Sequence, residues 1–271
     1  MSKKASKLTR YGLFDLGIDK SGDTYCLVIG GTPVTNRYGI RIEHRAKNLL
    51  RHMVAEFGGY SELKFSGTEL VEPDIFGAFR MYSVQKKWIE NCSDDLSQGF
   101  TDCLFRDPIL NLAPGPERMM QLAYWHHAYS WVGKDDAMAL MARFDREQVR
   151  QYEEFANEEG ERSEEEEEQN RELETRTQTV AQSLEARYRA LAPEERTAVM
   201  HLCAMSNSVL MPLALVGGAC NEGEYALGVM AAHGILGGAL GTTTNEQKSA
   251  FNQAREEARI AMDYIRYYRA E

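Results

Sequence analysis

The last third of the chain carries a series of helix-start signals that leave little freedom of architecture. Pro193 followed by Glu194 and Glu195 opens a helix, with acids in the first turn where the helix dipole favours them. That helix is expected to run to Gly217-Gly218. Asn221 with Glu224 three residues on forms a capping box, and Thr244 with Gln247 repeats the device. Beyond it Phe251, Ala254, Ala258, Ala261, Ile265 and Tyr268 fall on one stripe of a final helix. Three helices with short Gly-rich connections predict an antiparallel helical bundle.

The first part of the chain reads differently. Thr24–Ile29 is rich in β-branched and aromatic residues, flanked by Gly22-Asp23 on one side and by Gly30-Gly31 and Pro33 on the other. Ala46, Leu49, Leu50, Met53, Val54 and Phe57 recur at helical steps, and Gly58-Gly59 ends that helix. Phe76–Trp88 reads as helical, and Thr101–Phe105 as a short strand closed by Asp107-Pro108. Pro116 suits the first turn of a helix reaching Trp131, with Met120, Ala123, Tyr124, His127 and Trp131 on one side. Between Asp145 and Arg189 the chain is polar and rich in Glu, with Glu164–Glu168 unbroken, and reads as a solvated helix or linker. An acidic arm touching a basic client is the functional alternative. The fold class expected is α+β: a small β-rich N-terminal domain with helices over residues 11–135, an acidic segment over 136–192 and an all-α domain over 193–271. Residues 1–10 form a basic tail or short targeting segment.

Composition narrows the function. The 41 acidic residues exceed the 31 basic ones in a chain of 271, giving a net charge of -10. That balance disfavours nonspecific binding to nucleic acid and favours a basic or apolar protein partner. Five scattered cysteines with no CxxC pair point to neutral thiols in a reducing compartment. No run of about 18 apolar residues calls for membrane insertion. The first 14 residues contain Lys3, Lys4, Lys7 and Arg10 and no acid. They suit a short mitochondrial targeting segment and equally a plain basic tail.

No reaction is legible. His126 and His127 are adjacent and point about 100° apart on a helix, so they cannot chelate one ion as an i, i+4 pair can. His44 and His52 are expected to be exposed on the basic face of their helix. The Gly234–Gly241 stretch lacks the Gly-Lys-Ser/Thr ending of a phosphate loop and follows no strand. Ser206 and Ser208 have no nucleophile-elbow pattern around them. The reading is therefore no enzyme, no cofactor and no metal.

Three blocks resemble one protein family, the assembly chaperone for the α subunit of the F-type ATP synthase catalytic head. The first is the turn from Gly30 to Arg37 followed by the helix ending Ala55-Glu56-Phe57. The second and most specific is Thr101, Asp102 and Arg106, then Gln121, Trp125 and, six residues later, Trp131. Two tryptophans at that spacing stand out in a chain with three. The third is Ser206–Leu210, Leu213-Ala214-Leu215, the Gly217-Gly218 pair, and Glu224 followed by an aromatic residue. The chain departs from the family where acids and a Trp-Gly follow the second helix, where it has His233, Leu236 and Leu240-Gly241. It also has His126 where the family has Asp.

The resemblance implies binding without catalysis. The chain would hold the unassembled ATP synthase α subunit as a monomer, in the mitochondrial matrix or a bacterial cytoplasm, until the β subunit takes over. It places candidate client contacts at Glu222, Glu224, His233 and Glu246, and gives the Thr101 to Trp131 motif a structural part. The alternative is a scaffold or protein-binding module with the same fold and another partner.

Overall fold

Alternating apolar residues on one side and helix-period stripes on the other sort this chain into an α+β molecule, β-rich at the start and helical thereafter. The computed structural model describes residues 8–11, 15–60, 63–67, 69–72, 77–91, 95–113, 115–156, 163–234 and 244–270. The basic residues 1–7, and the Gly-rich stretch beyond Gly234, lie outside them. The chain divides into two compact units. One takes Met1–Asp94, Pro193–Ala198 and Ile260–Glu271, and the other takes Asp95–Ala192 and Val199–Arg259.

The first unit contains, in chain order, strands β1 (Leu8–Tyr11), β2 (Leu16–Ser21), β3 (Thr24–Ile29), β4 (Thr32–Pro33) and β5 (Glu43–His44), helix α1 (Lys47–Glu56), strands β6 (Leu63–Ser66) and β7 (Glu69–Glu72), and helix α2 (Ala78–Val84). β3 is the centre of one antiparallel sheet, paired with β2, β4 and β5. β1, β6 and β7 form a second antiparallel sheet in that order. Cys26, Leu27, Val28 and Ile29 of β3 are buried in succession, so both faces of that strand are covered, while Leu49, Leu50 and Met53 bury one face of α1 at helical steps. Between β4 and β5 the buried Asn36 shapes the turn, its Oδ1 accepting from the backbone N–H groups of Tyr38 and Ile40 at 2.9 Å each.

α2 begins at Gly77, whose φ of 114° favours glycine. The helix N-terminus is capped from a distance. The Glu56 carboxylate accepts from the backbone N–H of Ala78 at 2.8 Å and of Phe79 at 3.4 Å. A Cβ on Gly77 would collide with Glu56 Oε1. The family-like Glu56-Phe57 pair thus joins two helices: Glu56 caps α2, and the Phe57 ring meets Phe79 edge-on at 5.7 Å. His44 is not exposed as expected. It lies in β5, buried, accepts the Ala46 N–H at Nδ1, and sets its ring 4.4 Å from that of Tyr268. His52 stacks on Tyr267 at 4.4 Å.

The second unit is helical: α3 (Asp95–Phe105), α4 (Pro116–Val132), α5 (Lys134–Ala156) and α6 (Glu164–Ala190), then α7 (Pro193–Ser206), α8 (Leu210–Val216), α9 (Glu222–Ala232) and α10 (Asn245–Arg269), with the unit boundaries falling inside α7 and α10. The strand expected at Thr101–Phe105 is the end of helix α3. Leu96, Phe100 and Leu104, at four-residue steps, bury one face of it, and that helical period decides the element. On α4 the buried stripe is Trp125, Ala128, Tyr129 and Val132, rotated from the face expected. The acidic segment is no linker in its second half, where α6 buries Thr177, Val180, Ala181, Leu184 and Tyr188. The single helix expected from Pro193 to Gly217 is two, broken at Asn207 with φ 55°.

Candidate functional site

The break between α7 and α8 is held by a carboxylate more than 100 positions upstream. Asp107 is fully buried. Its Oδ2 accepts from the Ser208 hydroxyl at 3.0 Å and from the backbone N–H groups of Val209 at 2.7 Å and Leu210 at 2.9 Å. Its Oδ1 accepts from the N–H of Ile109 at 3.2 Å. Asp107 therefore satisfies the orphan donors at the start of α8, as a local cap would. Burial pushes its carboxyl up to about 6, against the opposing pull of these four donors.

α4 crosses this region with the motif tryptophans on it, and each indole sits at a glycine. Trp125 is buried and donates its Nε1–H to the carbonyl of Gly228 in α9 at 2.9 Å. A Cβ on Gly228 would lie 3.6 Å from Trp125 Cδ1 and would overlap Met211 Cε. Trp131, one and two-thirds turns further on, covers Gly217 at the end of α8, where a Cβ would overlap its Nε1. The Arg187 guanidinium lies 3.6 Å from the Trp131 ring centre and donates to the Trp131 carbonyl. The Trp125/Trp131 spacing thus matches the two places where α8 and α9 lack a side chain.

The other motif residues play smaller parts. Gln121 accepts the Ala113 N–H at Oε1, 2.6 Å away, and fixes the loop before α4. Thr101 is half-buried on α3, while Asp102 and Arg106 are exposed. Asp107, which the sequence reading passed over as a turn residue, does the work that the motif suggested for its neighbours.

The four candidate contact residues all lie in this unit, at two places on it. Glu222 and Glu224 belong to the first turn of α9, His233 follows its last turn, and Glu246 starts α10. About 10 residues of helix, some 15 Å, separate Glu224 from His233. The capping box at Asn221 is present as expected: its Oδ1 accepts from Gly223 and Glu224, and Glu224 Oε2 accepts from the Asn221 N–H at 2.9 Å. Glu224 Oε1 also lies 3.3 Å from His127 Nε2. Glu224 is thus already engaged in holding α9 to α4. Beside it the Cys220 thiol is pushed up to about 12 by burial and by the carboxylates of Glu224 and Glu222.

His233 instead lines a shallow groove between α7, α9 and α10, with Met205, Val229, Met230, Ala254 and Glu257. Met205 is 42% exposed there. Glu257 Oε2 lies 2.8 Å from His201 Nε2 at its edge. The groove has an apolar floor and polar ends. Sequence reading caught Ala254 as part of the α10 stripe and missed Met205 and Glu257, since α7 and α10 meet only in three dimensions. Among the described residues no three His, Cys, Asp or Glu side chains are grouped to hold a metal ion, and no helix is long and apolar enough to cross a membrane.

No family model matches the sequence, and no curated protein matches it. Solved structures do. Atp12 from Paracoccus denitrificans has the same course of chain with a TM-score of 0.61, over 94% of this chain and 96% of that one, at 13% identity. A mutant of that protein gives the same figures. The chain has the Atp12 fold. Within the Atp12 fold as built here, Glu56, Asp107, Trp125 and Trp131 act as tertiary clamps, each joining elements far apart in sequence.

Proposed function

We propose that the chain is an assembly chaperone for the F-type ATP synthase, holding the unassembled α subunit of the catalytic head until the β subunit takes its place. The observation that carries this reading is the Atp12 fold over 94% of the chain, joined to the motif resemblance around Trp125 and Trp131. The α7–α9–α10 groove is the client surface favoured by its chemistry. An apolar floor with a polar rim gives modest affinity, which lets the true partner displace the chaperone. His233 lines this groove, and Glu222, Glu224 and Glu246 are the further candidate contacts on the same unit. The chaperone works as a monomer without cofactor or catalysis, in the compartment where the α subunit is assembled, a mitochondrial matrix or a bacterial cytoplasm.

The test is purification of the tagged protein from its own cells. Recovery of α subunit without β supports the proposal. A different stoichiometric partner, with α absent, means that the fold was kept for another task.

A further inference from the structure

The distal part of the α5–α6 hairpin has no core beneath it. Among the described residues, nothing on α5 after residue 141 and nothing on α6 before Thr177 is buried. That is about 15 residues on each helix, an arm on the order of 20 Å long. Its helices are held by polar contacts: Arg143 to Glu174 at 3.3 Å, Arg146 to Asn170, and Arg176 to the Asp135 carbonyl at 3.0 Å. Exposed pairs of this kind contribute little each. α6 begins with a complete capping box, Ser163 with Glu166, and four Glu in its first turn.

Apolar side chains nevertheless line the arm on the outside. Val149, Tyr152 and Phe155 of α5 are 56%, 69% and 88% exposed. Their three-residue spacing makes a ridge of the kind that seats in the groove of a second helix. The described charge of the arm's distal end is acidic: Glu153 of α5 and Glu164–Glu168 and Glu172 of α6 stand against Arg171, a net -6 in a chain of net -10. An apolar ridge on an arm that carries this acidic charge is matched by a helix with one apolar face and basic residues around it.

We propose that the α5–α6 arm is a docking surface for a basic amphipathic helix of a partner protein, with Val149, Tyr152 and Phe155 as the apolar anchors and the acids of α6 as the rim. This site lies apart from the α7–α9–α10 groove and does not depend on the identity of the chaperone's client.

The test uses the full chain and a designed amphipathic peptide with Leu on one face and Lys and Arg on the other, followed by fluorescence anisotropy. Two control peptides keep one property each: Leu with Gln in place of the basic residues, and the basic residues with Ser in place of Leu. The expected result is binding of the basic amphipathic peptide that weakens with salt and falls at least tenfold with Tyr152→Ser and Phe155→Ser together. Both controls should bind at least tenfold more weakly than the parent peptide. Since these side chains are exposed, the thermal transition of the double variant should match the parent; if it shifts, Val149→Glu alone supplies the same readout. Equal binding by parent and variant overturns the proposal. So does equal binding of the Ser-faced peptide, which would reduce the arm to nonspecific charge attraction. A concentration-dependent dimer of the full chain that Tyr152→Ser and Phe155→Ser abolish would also overturn it, because the ridge would then serve self-association.

Discussion

Trp125 donates its indole N–H to the carbonyl of Gly228, 103 positions along the chain, at 2.9 Å. The contact needs both partners, because the ring approaches a backbone that has no Cβ. Trp131 makes the corresponding approach to Gly217. The two sites differ in what a methyl group would meet. At Gly217 it meets the rigid Trp131 ring, and the Leu213 carbonyl at 2.9 Å; at Gly228 it meets the mobile end of Met211.

Gly217→Ala is therefore expected to destabilise the protein by about 2–3 kcal/mol and Gly228→Ala by about 1 kcal/mol, within the range for overpacked sites. Chemical denaturation of both variants checks the order.

Asp107 predicts a pH dependence with a defined sign. Its folded carboxyl titrates at about 6 against 3.8 when unfolded, because burial disfavours the charge. Between those values the folded state binds more protons than the unfolded state. This group's contribution is greatest below about pH 4 and declines as pH rises through about 6, then stays constant. Asp107→Asn should remove this decline, seen as the difference between the parent and variant stability curves across pH 4 to 6.5. Asp107→Ala should destabilise at every pH, by about 3 kcal/mol, since the donors at Val209 and Leu210 lose their acceptor.

Glu56 gives a smaller version of the same effect. Glu56→Ala removes the acceptor of the first two N–H groups of α2, and a loss of about 1–2 kcal/mol is expected from the lost cap. Hydrogen exchange should localise the loss to Ala78 and Phe79. Uniform loss of protection through the first unit would contradict the capping role.

The candidate contacts divide by what else they do. Glu246→Lys changes an exposed charge and should weaken client binding while the thermal transition holds; Glu222→Lys, at a half-buried position in the first turn of α9, should weaken binding with a small fall in the transition. Glu224→Lys also breaks the α9 cap and the His127 contact, so it should lower stability as well. Met205→Glu, in the groove floor, should weaken binding more than either charge reversal. Binding by all of these variants at parental affinity, measured by calorimetry against isolated α subunit, would place the client elsewhere.

What was legible in the sequence was local. The Asn221–Glu224 and Thr244–Gln247 boxes depend on residues three apart, and both are present as read. The α1 stripe and the α10 stripe follow from periodicity alone. The caps supplied by Glu56 and Asp107 were not legible, because donor and acceptor lie 22 to 103 positions apart. The α7–α8 break was missed for the same reason: Asn207 offers a weak local signal, and the carboxylate that stabilises the break comes from another segment. The strand reading at Thr101–Phe105 failed because Leu96, left out of that short window, sets the helical period with Phe100 and Leu104. The groove with His233 was half legible, through Ala254, since its walls come from three helices.

The most direct measurement is aggregation of the ATP synthase α subunit on dilution from denaturant, followed by light scattering, with and without one equivalent of this chain. The prediction is that the chain suppresses scattering at a one-to-one ratio, and that added β subunit releases the chain and takes up the α subunit. Scattering that proceeds at the same rate with the chain present, or a complex that β cannot displace, would contradict the role of assembly chaperone.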